Sequence, residues 1–347
     1  MRFVLCEDSA NQRWLLLQRV HHLICDHGTM MRVAQEVEAL MQGHGGNLAP
    51  VSAFRDLIAQ TCRAEHQQAH EAFFREQLAD ITEPTLPFGL SDVYLDGCKV
   101  HDCHIRLSSG LNARLRYLAR QVGVSLASVC HLAWARVIAA ASGQQSVVFG
   151  TVLLGRMHAS SAAAEGLGVF INTLPIRLDI DEQGVLPALL KTQHVLAQTL
   201  QYEHASLALA QRCSGLQGNA PLFSALLNYR HNQHEKTATR DGLLASIEWI
   251  KGEERSNYPL ILSVEDYGDA LGLSAQVVEP IAPQRICSMM EEALTSLADA
   301  LEQDPQRAVA RLNVLSAQER QRSLYDYNQT EVHYPHALCV QQLFEQQ

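Results

Sequence analysis

Two adjacent histidines, His21 and His22, close an apolar run, and an acid, Asp26, follows four residues after the second. Histidine is the side chain whose ordinary pKa lets it take or release a proton near neutral pH. At a strand end it could stand at the mouth of a cleft, as a general base or as a group that positions an amine. The carboxylate of Asp26 would then fix either the local loop or the ring. A purely structural His pair is the other reading of the same residues. A metal site drawn from His22, Asp26 and another of the 16 histidines lacks HExxH or facial-triad spacing, so no metal is expected.

The elements that must position these residues follow from periodicity. Trp14–Val20 is too short an apolar run for a helix and reads as a buried strand leading into the histidines. A helix should follow, with Met30, Val33, Ala34, Val37, Leu40 and Met41 on one face, stopped by Gly43–Gly46. Helices over Ser52–Cys62 and Glu65–Leu78 precede a crossover from Glu83 to Gly97 that contains Pro and Gly, where a lobe boundary is placed. Beyond it, His104–Leu107 reads as a strand. A helix with Leu111, Leu115, Leu118, Ala119 and Val122 on one side ends at Gly123, and Ser125 caps a central apolar helix running to about Ala141. Val147–Leu153, Val169–Leu178 and Phe223–Tyr229 read as strands, and Leu186–Leu200 as an amphipathic helix. Leu260–Val264 and Leu271–Val277 flank a turn, Asp266–Asp269, and the second strand alternates Leu271, Leu273, Ala275 and Val277 against smaller or polar residues. A last helix, Gln284–Leu301, gives way after Asp304–Pro305 to a polar tail. Strands mixed with covering helices make a layered α/β fold.

Composition narrows the class. With 47% hydrophobic residues the chain can fill a core, and no run is long and apolar enough to span a membrane. Net charge is −10 and the cations are mostly scattered Arg, which argues against a nucleic-acid partner. Nine cysteines without a CxxC pair read as reduced thiols, so a soluble cytoplasmic protein is expected.

Taken together, five segments resemble the condensation domains of nonribosomal peptide synthetases. His21–Asp26 is similar to the HHxxxDG motif. Leu167–Arg177, LGVFINTLPIR, is similar to the later IGxFVNTLxxR motif. Ala220–Ser224 with the strand to Tyr229, and Asn257–Val264, resemble two further segments. Tyr327–Thr330, Tyr334–Pro335 and Leu343–Glu345 resemble the linker and opening of an adenylation domain. The resemblance implies a chloramphenicol-acetyltransferase-like fold, with two lobes in a V and the active site at their junction. It also implies an acyltransferase that joins a donor acyl or peptidyl thioester to an aminoacyl thioester acceptor. Donor and acceptor carrier proteins would bring both on 4′-phosphopantetheine arms, this chain holding no cofactor itself. By the same resemblance His22 is the active-site histidine, and His21 and Asp26 support it structurally. Arg177 pairs with Asp26, and its alternative is a surface strand-end arginine. His27, Gly28 and Asn228 face the substrate tunnel.

Three departures qualify the match. His27 replaces the glycine that closes the first motif, with Gly28 one place later, and the HHxxxDH form resembles the subgroup that both epimerises the donor residue and condenses it. Most of the first lobe is expected to be missing, residues 1–97 being its remnant, 98–303 the second lobe, and 304–347 the linker and adenylation start. Glu203–Leu207 stands where the family shows QDxPFE. The rival functions are a free-standing acyltransferase using coenzyme A and a non-catalytic remnant that docks carrier proteins.

Overall fold

The computed structural model describes residues 1–48, 53–61, 63–94, 99–156, 166–218, 220–231, 250, 256–332 and 337–347. In chain order the strands and helices are β1 (Arg2–Asp8), β2 (Arg13–Arg19), α1 (His27–Met41), α2 (Phe54–Thr61), α3 (Ala64–Leu78), β3 (Val100–Arg106), α4 (Ser109–Val122), α5 (Leu126–Ser142), β4 (Ser146–Leu153), β5 (Asn172–Asp179), α6 (Val185–Gln201), α7 (Leu207–Arg212), β6 (Ala225–His231), β7 (Leu260–Asp266), β8 (Leu271–Val278), α8 (Pro283–Gln303), α9 (Ala317–Leu324) and α10 (Val340–Gln346). β1 and β2 form a two-stranded antiparallel ribbon. The other six strands make one mixed sheet in the order β3-β8-β7-β6-β4-β5, parallel where β6 meets β4 and β7 and antiparallel elsewhere.

Helices cover one face of this sheet as the patterning requires. α4 is capped by Ser108, whose Oγ accepts from Leu111 N (3.2 Å), and ends at Gly123 with φ +76°. α5 is capped by Ser125 and ends at Gly143 with φ +74°. A left-handed residue at each end frees the helix carbonyls to be closed off without Cβ strain. α5 is buried nearly all round and, with α4, α6 and α8, packs on Phe149, Leu227, Leu262 and the inward residues of β8. Each fully buried Leu, Ile or Phe contributes about 1.5–3 kcal/mol. On the opposite face, Phe73, Phe74 and Leu78 of α3 meet Val148, Leu174 and Leu226. The crossover before β3 is stitched to the same sheet. Thr85 N donates to Leu222 O (3.1 Å), Ser224 N to Thr85 O (3.3 Å), and Val148 N to Thr85 Oγ1 (3.0 Å).

Three expectations change. β2 is a strand but not a buried one: Trp14, Leu16 and Leu17 are all more than half exposed, as are Phe3 and Leu5 on β1. An apolar run shows that a strand wants a cover, not that one is supplied. β5 begins at Asn172 rather than Val169, because the Phe170 N–H is spent on Asp26 instead of on the sheet. The tail after Asp304 is not simply a linker: Val309, Leu312 and Val314 are buried in the main core, and Ala308 forms a bridge with Gly184.

His131, in the middle of α5, is 2% exposed; one ring nitrogen meets Ala127 O (2.7 Å) and the other Thr151 Oγ1 (2.8 Å). Burial pushes its pKa down to about 4. The unfolded chain then binds a proton that the folded chain refuses, so stability is lost as pH falls from about 6.5 towards 4, by up to about 3 kcal/mol. Urea denaturation at pH 7 and pH 4.5 should show this loss, and it should shrink in His131→Gln.

Candidate functional site

Asp26 is the residue from which the site is built. It is the N-cap of α1: its Oδ1 accepts from Thr29 N (2.8 Å), satisfying a donor that the helix leaves unpaired. Its Oδ2 accepts from Phe170 N (2.9 Å), across 144 residues. Arg156, just beyond β4, donates from Nη2 to Oδ1 (3.1 Å) and to Thr29 Oγ1 (3.1 Å), and from Nη1 to Gly166 O (3.1 Å). Its guanidinium carbon lies 3.8 Å from the centre of the Phe170 ring, and Phe54 packs edge-on to that ring at 5.2 Å. Thr29 Oγ1 donates to Gly168 O (2.6 Å) and accepts from Gly168 N (3.1 Å). Asp26 is 2% exposed. Burial pushes its carboxyl up, but the Thr29 and Phe170 N–H groups and the Arg156 charge outweigh this and hold it below the ordinary carboxylate range.

Glycines make room for this junction. A Cβ on Gly28 would stand 3.3 Å from Arg156 Nε, so the space beside it is taken by the arginine. Gly155 has φ +67° and abuts the Phe170 carbonyl, so a side chain there is both strained and blocked. Gly155→Ala is expected to destabilise the fold by about 1–3 kcal/mol, read as a lower denaturation midpoint.

The histidines lie on the rim. His21, His22 and His27 are all exposed; His21 Nδ1 accepts from Leu23 N (3.2 Å), and His27 opens α1. Among the described residues none hydrogen-bonds the His22 ring, and the bonds of Asp26 run to Thr29, Arg156 and Phe170 instead. The pairing expected of Arg177 is corrected. It bonds Asp80 Oδ1 (2.6 Å), Gln77 O (3.2 Å) and Ser146 Oγ (2.9 Å), tying the end of α3 to the far end of β5. Seven residues of extended chain separate it from Phe170, about 23 Å, so it cannot reach Asp26. Arg156 takes that place. Asn228, on β6 opposite Ser263, accepts through its side-chain oxygen from Arg230 Nε (2.7 Å) and has no bond to Asp26 or His22. Asn172, in the second motif, donates to Glu203 O (2.9 Å) and Ala205 O (2.7 Å), which docks the divergent 203–207 segment beside the junction. Among the described residues no group of three or more His, Cys, Asp or Glu is arranged to hold a metal.

A model of the condensation-domain family matches residues 1–324. The chain belongs to the condensation-domain family of nonribosomal peptide synthetases. This condensation domain is 49% identical over 347 residues to malpinin synthetase of Mortierella alpina, covering all of this chain and 4% of that protein. It is 48% identical over 346 residues to malpibaldin synthetase of the same organism, covering 100% of this chain and 6% of that one. A solved four-domain nonribosomal peptide synthetase bound to AMP and glycine matches with a TM-score of 0.70 at 14% identity, over 88% of this chain and 25% of that one. The shared fold is the chloramphenicol-acetyltransferase-like one. Sequence reasoning missed Arg156, although it stands in a legible place, directly after a strand and a glycine in VLLGR. The 27 Lys and Arg residues gave no ground for choosing it until the fold brought Gly168–Phe170 and α1 together.

Proposed function

We propose that this condensation domain joins a donor acyl or peptidyl thioester to an aminoacyl thioester acceptor, each presented on the phosphopantetheine arm of a carrier protein. The observation that carries the reading is the division of labour between the two motif residues. The Asp26 charge is engaged by Arg156, Thr29 and Phe170, and among the described residues no carboxylate bonds the His22 imidazole. The acceptor amine attacks the thioester carbonyl carbon, the C–N bond forms, the C–S bond breaks and the donor arm leaves as thiol. The proton shed by nitrogen passes to sulfur, with His22 holding the amine or carrying that proton. An α-amino group titrates near 8, roughly, so part of it is already neutral at pH 7 and positioning alone gives His22 a large role.

Further parts of the reading rest on the motifs. His27 in the closing position supports a domain that also epimerises its donor. Tyr327–Thr330 and Leu343–Glu345 support an adenylation domain as neighbour; Tyr334 and Pro335 lie outside the described residues. Cysteines 6, 25, 103, 130, 213, 287 and 339 are free thiols, which supports a cytoplasmic setting. No single helix among the described residues is long and apolar enough to cross a membrane.

One observation favours the non-catalytic docking remnant: the apolar β1–β2 ribbon is exposed on both faces. A single assay separates the readings. The chain is supplied with one carrier protein loaded with a donor aminoacyl group and another with an acceptor, and the products are read by mass spectrometry. Dipeptidyl thioester on the acceptor carrier supports condensation. Carrier binding without product supports docking, and turnover with an acyl-coenzyme A donor instead supports the free-standing acyltransferase.

A further inference from the structure

On the covered side of the sheet, away from the Asp26 junction, a cavity of about 520 Å³ opens between α5, α8 and the segment from Arg307 to Arg320. Five arginines line it, Arg136, Arg285, Arg307, Arg311 and Arg320, and no carboxylate does. That concentration stands out in a chain whose net charge is −10. Two of the five are neutralised from outside the cavity: Arg285 by Glu319 (2.6 Å) and Arg311 by Glu182 (3.1 Å). Arg136, Arg307 and Arg320 form no ion pair among the described residues; Arg307 donates only to the Arg311 carbonyl (3.2 Å).

Arg136 is the telling member. It projects from α5, whose other central positions are buried and almost all apolar, and its Nε is buried without a hydrogen-bond partner. A buried donor of a cationic group without an acceptor is costly, and partial burial holds the Arg136 pKa below the ordinary arginine value. An anion entering the cavity would supply that acceptor together with counter-charge for the three unpaired arginines. Guanidinium forks match phosphate oxygens two bonds at a time, and three unneutralised ones call for a multiply charged group. The volume is in the range of small-molecule sites, about 300–1,000 Å³.

We propose that this cavity binds the polyphosphate group of a small molecule, as free pyrophosphate or as part of a nucleotide. Three of the five arginines come from residues 307–320, so the ligand would clamp the segment leading out of the domain, including α9, onto α5 and α8. The site is independent of the amide-forming reading, since none of its residues touches the Asp26 junction.

The test is isothermal titration of the full 347-residue chain with pyrophosphate, ATP and inorganic phosphate at matched ionic strength. Saturable one-site binding of pyrophosphate or ATP, tighter than that of phosphate, is expected, with slower amide hydrogen exchange over 307–320 in the complex. Equal affinity for the two ligands assigns the shared polyphosphate, and tighter ATP binding assigns the nucleotide. Arg136→Met and the exposed-site Arg320→Gln should each weaken binding about tenfold. Arg320→Gln, lying on the surface, keeps the test valid even if Arg136→Met fails to fold. No saturable heat, or unchanged affinity in Arg320→Gln, overturns the proposal.

Discussion

His22→Ala should lower the rate of dipeptidyl thioester formation by about 10²–10⁴-fold, the usual range for loss of a positioned acid–base side chain. The fold should not notice the change. His22 is exposed and no described residue hydrogen-bonds its ring, so the denaturation midpoint should stay within the small scatter of surface substitutions. Stopped-time assays with both carriers loaded measure the first quantity, and urea denaturation of the same preparation the second. An unchanged rate would remove His22 from the chemistry.

A second substitution separates its two roles. In His22→Gln the side chain can still hydrogen-bond the acceptor amine but cannot accept a proton at neutral pH. If positioning dominates, His22→Gln keeps much of the rate, and raising the pH, which supplies more neutral amine, helps it no more than the parent. If proton removal dominates, His22→Gln falls with His22→Ala, and the loss shrinks as pH approaches the amine's own titration near 8, roughly.

The sequence was legible where local rules decide. Ser125 reads as a cap and is one; the alternation of β8 gives its buried face; Gly123 ends α4 in the left-handed conformation it suggests. The strand before His22 and the helix after Asp26 were also visible, because each is a local event. What could not be read was tertiary choice. Arg177 and Arg156 sit on neighbouring antiparallel stretches, each near a strand end, and nothing in their own surroundings says which of them turns towards α1. The answer comes from the chain path of 166–170, which leaves the sheet to meet Asp26 and carries the partner's position with it. The exposed ribbon shows the same limit: Trp14–Val20 has the composition of a buried strand, yet burial depends on what lies against it.

That difference between the two arginines makes the sharper structural prediction. Arg156→Met should destabilise the domain by about 3 kcal/mol or more, because it leaves a buried carboxylate without its counter-charge. Arg177→Met, which breaks pairs with half-exposed or exposed acids, should cost about 0–1 kcal/mol. Arg156→Met should also lose most amide-forming activity, since α1 and the turn carrying His22 are anchored through the same carboxylate, whereas Arg177→Met should keep it. Asp26→Asn should resemble Arg156→Met: one of the two acceptor oxygens facing Thr29 N–H and Phe170 N–H becomes an NH₂ donor. The pH response follows the sign of the Asp26 shift. Its folded pKa lies below its unfolded one, so the stabilisation is fully present above the unfolded value, about 3.9. It is lost as pH falls through the lower folded value. That window lies under the one assigned to His131, so parent and Asp26→Asn should lose stability alike from pH 6.5 to 4.5. Below about pH 4 the difference between them should narrow as the parent's carboxylate is protonated. A difference already vanishing at pH 5 would mean that Asp26 is not held ionised by Arg156 and the two N–H groups, and the junction would need another anchor.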